Sequence, residues 1–153
     1  MNCISYTDQT KQSFLFKAEV IKQINCDISC ISETFLKKDQ TLHIEGYHWI
    51  GHERTKLNPN AVRGSGGVGI LIHTRLNNVF KHEILDNTYE GILWIKLTPR
   101  QTSGSPLIVC ACYLPPADSC RKVDAEKYFD TLLCQCYQYQ NQYQNQGLLI
   151  IGG

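Results

Sequence analysis

Residues 26–34, which read CDISCISET, decide the fold class because they describe a short apolar strand closed by an acid and a threonine. Apolar positions alternate with Ser29 until Ile31 interrupts the pattern, which favours a strand covered on both faces, as in a parallel or mixed sheet. An acid at the end of such a strand lies at the sheet rim, where one carboxylate can serve as a Mg²⁺ ligand. Glu33 is therefore a candidate metal ligand, although a solvated strand end is the simpler interpretation of this residue alone.

The rest of the chain predicts strands and helices on both sides of this segment. Further segments with strand character cover residues 1–6, 47–52, 68–74, 78–84, 90–98, 107–113 and 148–153. Helical spacing of apolar residues runs through 11–24 and 122–137. The second helix should start near Asp118 or Ser119 and bury a stripe made of Ala125, Phe129, Leu132, Leu133 and Cys136. The low-complexity stretch QYQNQYQNQ, residues 138–146, is predicted as a floppy helix end or a loop.

Length and composition predict one globular domain. The chain has 153 residues, of which 42% are hydrophobic and 19% are charged, so wholesale disorder is excluded. No run of 18 apolar residues predicts a membrane-spanning helix, and the polar residues 1–11 do not resemble a secretion signal, so we expect an intracellular protein that does not enter membranes. A net charge of +1 gives no sign of a strongly basic nucleic-acid clamp, though it leaves room for a local basic patch.

Eight cysteines are many for a chain of this size. Without a secretion signal we interpret them as reduced thiols that pack as small hydrophobes. Cys110 and Cys112 should share one face of a strand, whereas Cys134 and Cys136 fall on different faces of a helix. Neither pair has the Cys-x-x-Cys spacing that structural zinc sites use.

Three other features each have a functional and a plain interpretation. The glycine-rich segment 63–69, RGSGGVG, runs into a strand and lacks the Lys of a phosphate-binding P-loop, so we expect a tight backbone approach at the start of the strand. Tyr113 ends an apolar strand before two prolines and could aim its phenol into a cleft, or be a rim aromatic. His48 and His52 should share a strand face, and a metal site is not favoured because no third ligand is visible.

Taken in order along the chain, five segments resemble the endonuclease/exonuclease/phosphatase superfamily, and most closely the apurinic/apyrimidinic-endonuclease-like domain of non-LTR retrotransposons. These segments are Asn2 near the first strand, CDISCISET at 26–34, GGVGI at 66–70, YLPP at 113–116 and LLIIGG at 148–153. The resemblance covers nearly the whole chain. It implies an α/β fold, namely part of a four-layered sandwich in which two mixed β-sheets face each other and helices flank them.

The resemblance also implies roles for three residues, a cofactor and a partner. Glu33 would be a Mg²⁺ ligand, Tyr113 would orient or stabilise the scissile phosphate, and Asn2 would support the metal-ligand region. The substrate would be DNA and the reaction hydrolysis of a phosphodiester. By analogy with DNA-acting relatives, the protein would work in the nucleus.

One departure from the superfamily pattern changes the functional expectation. The family's Gly-Asp-Phe-Asn motif would begin at Gly153, so its Asp and Asn, and a later Asp-His pair, have no counterparts here. We therefore expect the domain, residues 1–153, to be incomplete at its C-terminus, to bind Mg²⁺ weakly and to cleave little or no DNA. Apolar sheet surface and a strand edge would stay exposed, which predicts self-association or a partner. The alternatives are a non-catalytic remnant or binding module, and a superfamily member that acts on another phosphoester, such as a lipid or inositol phosphate.

Overall fold

The computed structural model describes residues 18–38, 40–54, 64–101, 104–119, 123–144 and 147–152. Within these ranges lie the strands β1 (Ile28–Ser32), β2 (Tyr47–His52), β3 (Val68–His73), β4 (Phe80–Asp86), β5 (Ile92–Pro99), β6 (Leu107–Cys112) and β7 (Gly147–Gly152). Helix α1 covers the described residues 18–24, and helix α2 spans Ala125–Gln142. A short 3₁₀ turn, Thr74–Asn78, joins β3 to β4.

The strands form two sheets. The first has the order β1-β3-β2 and pairs antiparallel among the described residues, and the second has the order β4-β5-β6-β7. In the second sheet the β6–β7 pair is parallel and the other pairs are antiparallel. The predicted α/β class with two sheets and flanking helix is thereby confirmed, and the mixed pairing belongs to the second sheet.

The main core lies between the two sheets because alternate residues of each strand face the other sheet. The inward set of the first sheet is Ile50, Val68, Ile70 and Ile72, and that of the second sheet is Leu93, Ile95, Leu97, Val109 and Ala111. The opposite face of the second sheet packs against α2 through Ile92, Trp94, Ile108, Cys110, Tyr128 and Tyr139. Cys110 and Cys112 both belong to this second group, so they share one face of β6, as predicted.

Helix α2 differs from its predicted form in length, start and buried face. Its N-cap is Asp124, whose carboxylate accepts a hydrogen bond from the Lys127 N–H, and not Asp118 or Ser119. It continues to Gln142, so much of the predicted floppy segment is helical. The stripe that packs on the sheet is centred on Tyr128, Gln135 and Tyr139, whereas Phe129 and Leu133 of the predicted stripe are 51% and 54% exposed.

A chain of polar side chains fixes α2 on the second sheet. The buried Trp94 indole N–H donates to Gln135 Oε1 at 2.9 Å, and Gln135 Nε2 donates to Asp86 Oδ2 at 2.9 Å. The Thr88 N–H and hydroxyl both donate to the other oxygen of Asp86. The buried polar groups of Trp94, Gln135 and Asp86 therefore each have a hydrogen-bond partner, which explains how a glutamine can lie against an apolar sheet.

No helix within the described ranges is both long enough and apolar enough to cross a membrane. The six cysteines in those ranges are free thiols. Cys134 is exposed, whereas Cys136 packs toward the sheet, so these two residues lie on different faces of α2 as predicted.

Candidate functional site

The candidate site lies at one rim of the sandwich, where β1 and β6 end. Ser32, the last residue of β1, pairs with Val68 at the start of β3, and Cys112 at the end of β6 pairs with Ile92 at the start of β5. The residue after each strand end reaches across the gap between the sheets. There the Tyr113 hydroxyl donates to Glu33 Oε1 at 2.8 Å. Two residues that are far apart in sequence thus form one polar contact.

Backbone hydrogen bonds from the glycine-rich segment hold Glu33 in place. Glu33 itself has a left-handed backbone, with φ of 53°, a conformation that costs a non-glycine residue roughly 1–2 kcal/mol. The next two N–H groups, of Thr34 and Phe35, donate to the carbonyls of Gly67 and Gly66 at 3.3 and 2.8 Å. These contacts compensate the backbone strain and fix the direction of the carboxylate. The close backbone approach predicted for residues 63–69 is confirmed in its described part, 64–69.

Tyr113 is held at its main chain. Its N–H donates to the carbonyl of Gly91 at 2.9 Å, and the Tyr128 hydroxyl of α2 donates to the same carbonyl at 3.1 Å. Burial raises the pKa of Tyr128, so that hydroxyl stays a donor across the physiological pH range. The phenol of Tyr113 therefore projects from a backbone position that both the second sheet and α2 fix.

A second polar contact joins the two sheets at this rim and was not predicted. Arg54 follows β2 and forms an ion pair with Glu90, which precedes β5, with 2.8 Å between Nε and Oε1. The arginine side chain is largely buried and the glutamate is partly exposed. No sequence pattern pointed to this pair, because its two members come from separate loops and neither is part of a motif. It places one guanidinium on the same side of the sandwich as Glu33.

The space beneath the contact between Glu33 and Tyr113 is small. A cleft of about 60 Å³ lies between the sheets, and Ser32, Cys112, Ile151 and Gly152 are among its lining residues. That volume holds about two water molecules. Cys30 also borders it, and burial raises the pKa of this thiol to about 11, so the thiol is protonated and a poor nucleophile. A phosphodiester would consequently bind on the open rim and not inside the cleft.

The residues at the rim offer Mg²⁺ one carboxylate ligand. Mg²⁺ is commonly held by one or two carboxylates together with water and substrate phosphate oxygens. Glu33 supplies one such carboxylate, on an exposed strand end next to a phenol. The described ranges contain no group of three His, Cys, Asp or Glu side chains that could hold a metal ion. Mg²⁺ would thus depend on water and on phosphate oxygens for its remaining ligands.

Asn2, His48 and His52 were the other candidate residues. Asn2 lies outside the described residues. His48 and His52 share one face of β2, as predicted, and both meet the second sheet: His48 packs on His82, and His52 Nδ1–H donates to the Ile92 carbonyl at 3.1 Å. They do not approach a common ligand position, since each has its own partner on the second sheet.

Comparison with known sequence families and with curated proteins finds no match. Comparison with solved structures finds the crystal structure of TDP2 from Caenorhabditis elegans, with a TM-score of 0.52 and 15% sequence identity. The match covers 91% of this chain and 40% of the TDP2 chain, so this chain spans less than half the length of that protein. At this identity the likeness shows the fold alone: this chain and TDP2 have similar folds.

Proposed function

We propose that this chain carries the first part of a Mg²⁺-dependent phosphodiesterase site, with DNA as the substrate and a relationship to retrotransposon endonucleases. The observation that supports this is the contact between Glu33 and Tyr113, because the superfamily resemblance assigns the metal-ligand role and the phosphate role to these two residues. The fold shared with TDP2, a phosphodiesterase, supports the same reaction class. Work on DNA would in turn imply a nuclear location.

The two residues would divide the work at the rim. Glu33 would hold Mg²⁺ through its carboxylate, and the Tyr113 hydroxyl, which donates its one proton to that carboxylate, would orient it. When a phosphate binds, the same O–H would turn and donate to a phosphate oxygen instead. The metal, when bound, neutralises the charge that develops on the phosphate during attack by water. Neither residue is placed to remove a proton from the attacking water, so we expect metal and phosphate binding with little or no cleavage.

Metal binding at Glu33 is tested with Mn²⁺, which takes the same oxygen ligands as Mg²⁺ and is visible by electron paramagnetic resonance. We expect Glu33→Gln to lose Mn²⁺ binding and Tyr113→Phe to weaken it only a few-fold, because the phenol positions the carboxylate without contacting the ion. The matched control is Glu53→Gln, since Glu53 is also an acid that follows a strand ending at this rim. Equal Mn²⁺ binding by the wild type and Glu33→Gln would overturn the proposed site.

Cleavage is tested separately with supercoiled plasmid and Mg²⁺. We expect no nicking above a metal-free control. Nicking that disappears in Glu33→Gln would contradict the expectation of inactivity while supporting the site. Nicking that persists in that variant would point to a contaminating nuclease.

A second candidate function, a non-catalytic binding module, is favoured by a different observation. Leu148 and Ile150 on β7 are 40% and 43% exposed, although they lie on the same face as the buried Ile108 and Cys110 of β6. Phe129 and Leu133 of α2 add to this exposed apolar surface. A surface of this kind is typical of a contact with another polypeptide.

A further inference from the structure

Two histidines from opposite sheets face each other at the edge of the sandwich away from β7. His48 lies on β2, an outer strand of the first sheet, and His82 lies on β4, an outer strand of the second. Their ring centroids are 4.5 Å apart and the ring planes are inclined by 36°. We infer that His48 and His82 together bind one divalent transition-metal ion, which links the two sheets and completes its coordination with water.

The imidazoles of His48 and His82 are available as ligands, whereas those of His52 and His73 are engaged. His52 donates to the Ile92 carbonyl, and His73 Nδ1 accepts a hydrogen bond from the Arg75 N–H. Neither His48 nor His82 hydrogen-bonds to another described residue. His48 is exposed to solvent, so an ion can reach the pair.

The protonation of the two rings bears on metal binding. Only a neutral imidazole nitrogen can coordinate a metal. Burial, and next the charge of His48, lower the pKa of His82, which favours its neutral form. Two protonated imidazoles at this separation would repel each other, and a shared cation removes that conflict.

The spacing of the two rings is compatible with one shared ion. Metal–nitrogen bonds of about 2.0–2.1 Å bring two ligating nitrogens to roughly 3–3.5 Å from each other. The ring centroids are 4.5 Å apart, so a shared ion requires the two side chains to rotate until one nitrogen of each ring faces the other. Since the described ranges hold no third side-chain ligand nearby, the affinity should be modest and water should fill the other positions. Imidazole ligands suit Zn²⁺, Cu²⁺ and Ni²⁺ and do not suit Mg²⁺, so this site is independent of the one proposed at Glu33.

Thermal unfolding with Ni²⁺ tests the inference. Ni²⁺ is the probe because it favours imidazole more than Zn²⁺ does, and the free thiols would compete for Zn²⁺. At a Ni²⁺ concentration tenfold above Kd we expect the unfolding midpoint of the wild type to rise by roughly 3–5 °C. His48→Gln and His82→Gln should lose this shift. His52→Gln is the matched control and should keep it, since His52 lies on the same strand face but is engaged by a carbonyl. An equal shift in all four proteins would overturn the site.

Nuclear magnetic resonance gives a readout that does not depend on the variants folding. Ni²⁺ is paramagnetic, so at substoichiometric concentration it should broaden the ring signals of His48 and His82 in the wild type first. His43, which is exposed and on no strand, serves as the internal control. Broadening of His43 before the pair, or of all five histidines together, would contradict the inference.

Discussion

At the scale of single residues, the site depends on the absence of a side chain at Gly67. This glycine has φ of +87°, and a Cβ built on it would lie 2.5 Å from the Thr34 hydroxyl oxygen. Gly46 has nearly the same backbone, with φ of +83°, but its nearest neighbour would lie 3.9 Å away. The two glycines thus share a backbone requirement, and only Gly67 also has a packing requirement, because the segment that carries Glu33 lies against it.

This pair allows backbone strain to be separated from packing. Gly46→Ala should cost about 1–2 kcal/mol of unfolding free energy, because it imposes only the left-handed strain on a side chain. Gly67→Ala should cost about 1–3 kcal/mol more, since Thr34 must also move. Gly67→Ala should further weaken Mn²⁺ binding, because Thr34 follows Glu33 directly. Chemical denaturation measures the two losses of unfolding free energy, and the Mn²⁺ measurement detects the change in metal binding. Equal losses of unfolding free energy at the two glycines would show that Thr34 does not pack tightly against Gly67.

At the scale of elements, α2 is attached to the second sheet by a mixture of apolar packing and the polar chain from Trp94 to Asp86. The apolar contacts set the general position of the helix, but many rotations of α2 would bury a similar area. The hydrogen bonds of Gln135 are satisfied in only one of those rotations, because they need Trp94 on β5 and Asp86 on β4 at the same time. The polar chain therefore determines which face of α2 is buried.

Removal of the central amide tests this role. Gln135→Ala leaves the buried Trp94 N–H without its acceptor, and we expect a loss of about 1–3 kcal/mol in unfolding free energy. Gln138→Ala, an exposed glutamine on the same helix, should change stability by less than about 0.5 kcal/mol. Urea denaturation measures both. A loss of unfolding free energy at position 135 no larger than that at position 138 would mean that the hydrogen bonds of Gln135 do not stabilise the packing of α2.

The hydrogen bonds of Asp86 in this series of polar side chains make the stability of the protein depend on pH. Burial acts to raise the pKa of Asp86, but hydrogen bonds from Thr88 and Gln135 and the nearby His52 outweigh it, so the pKa lies below its ordinary value of 3.8. Asp86 therefore contributes stability that is fully present well above pH 3.8 and is lost as the pH falls from that value through the lower folded-state pKa. Asp86→Asn should flatten the unfolding free energy in this acidic range. An unchanged pH profile would show that other carboxylates dominate.

At the scale of the whole molecule, the two outer strands of the second sheet differ in charge. β4 carries the charged residues Lys81 and Glu83 beside the half-exposed Ile84. Toward β7 the exposed side chains Leu148 and Ile150 are apolar, and in the described ranges no strand pairs with the outer edge of β7. An apolar edge strand is a site where another chain can add. The expected exposure of apolar sheet surface is present among the described residues.

Charged substitutions on β7 test whether this surface drives self-association. Leu148→Lys combined with Ile150→Lys should weaken any self-association by at least about tenfold, since each apolar side chain is worth about 1.5 kcal/mol or more when buried. Val79→Lys, which changes an exposed valine in the turn before β4, should leave association unchanged. Sedimentation velocity over a concentration range measures the effect. A wild type that stays monomeric throughout would remove self-association as an explanation for the exposed residues.

How much the sequence could predict differs between the sheets and α2. Segments 47–52 and 107–113 coincide closely with β2 and β6, because alternation and β-branched runs report directly on burial. Glu33 and Tyr113 were predicted from two separate strand ends, and the structure brings them into contact. The order of motifs along the chain, through the resemblance described above, assigned both residues to one site. Their spacing in the sequence alone says nothing about how two loops from different sheets meet.

The buried face of α2 could not be predicted in the same way. Phe129 and Leu133 are the more apolar residues, so periodicity favoured their face, yet Tyr128, Gln135 and Tyr139 are the buried ones. Their burial depends on partners outside the helix: Gly91 for the Tyr128 hydroxyl, and Trp94 with Asp86 for Gln135. A hydropathy pattern carries no information about such partners, and the same reason hid the ion pair of Arg54 with Glu90.

The parallel pairing of β6 with β7 also sets an order in time. β4, β5 and β6 are consecutive antiparallel strands, so they can pair while the chain is still being synthesised. β7 can join only after the 18 residues of α2 have been made, because the chain must return to run alongside β6 in the same direction. Glu33 and Tyr113 both precede α2, so a nascent chain on the ribosome could already hold their contact before β7 has left the exit tunnel.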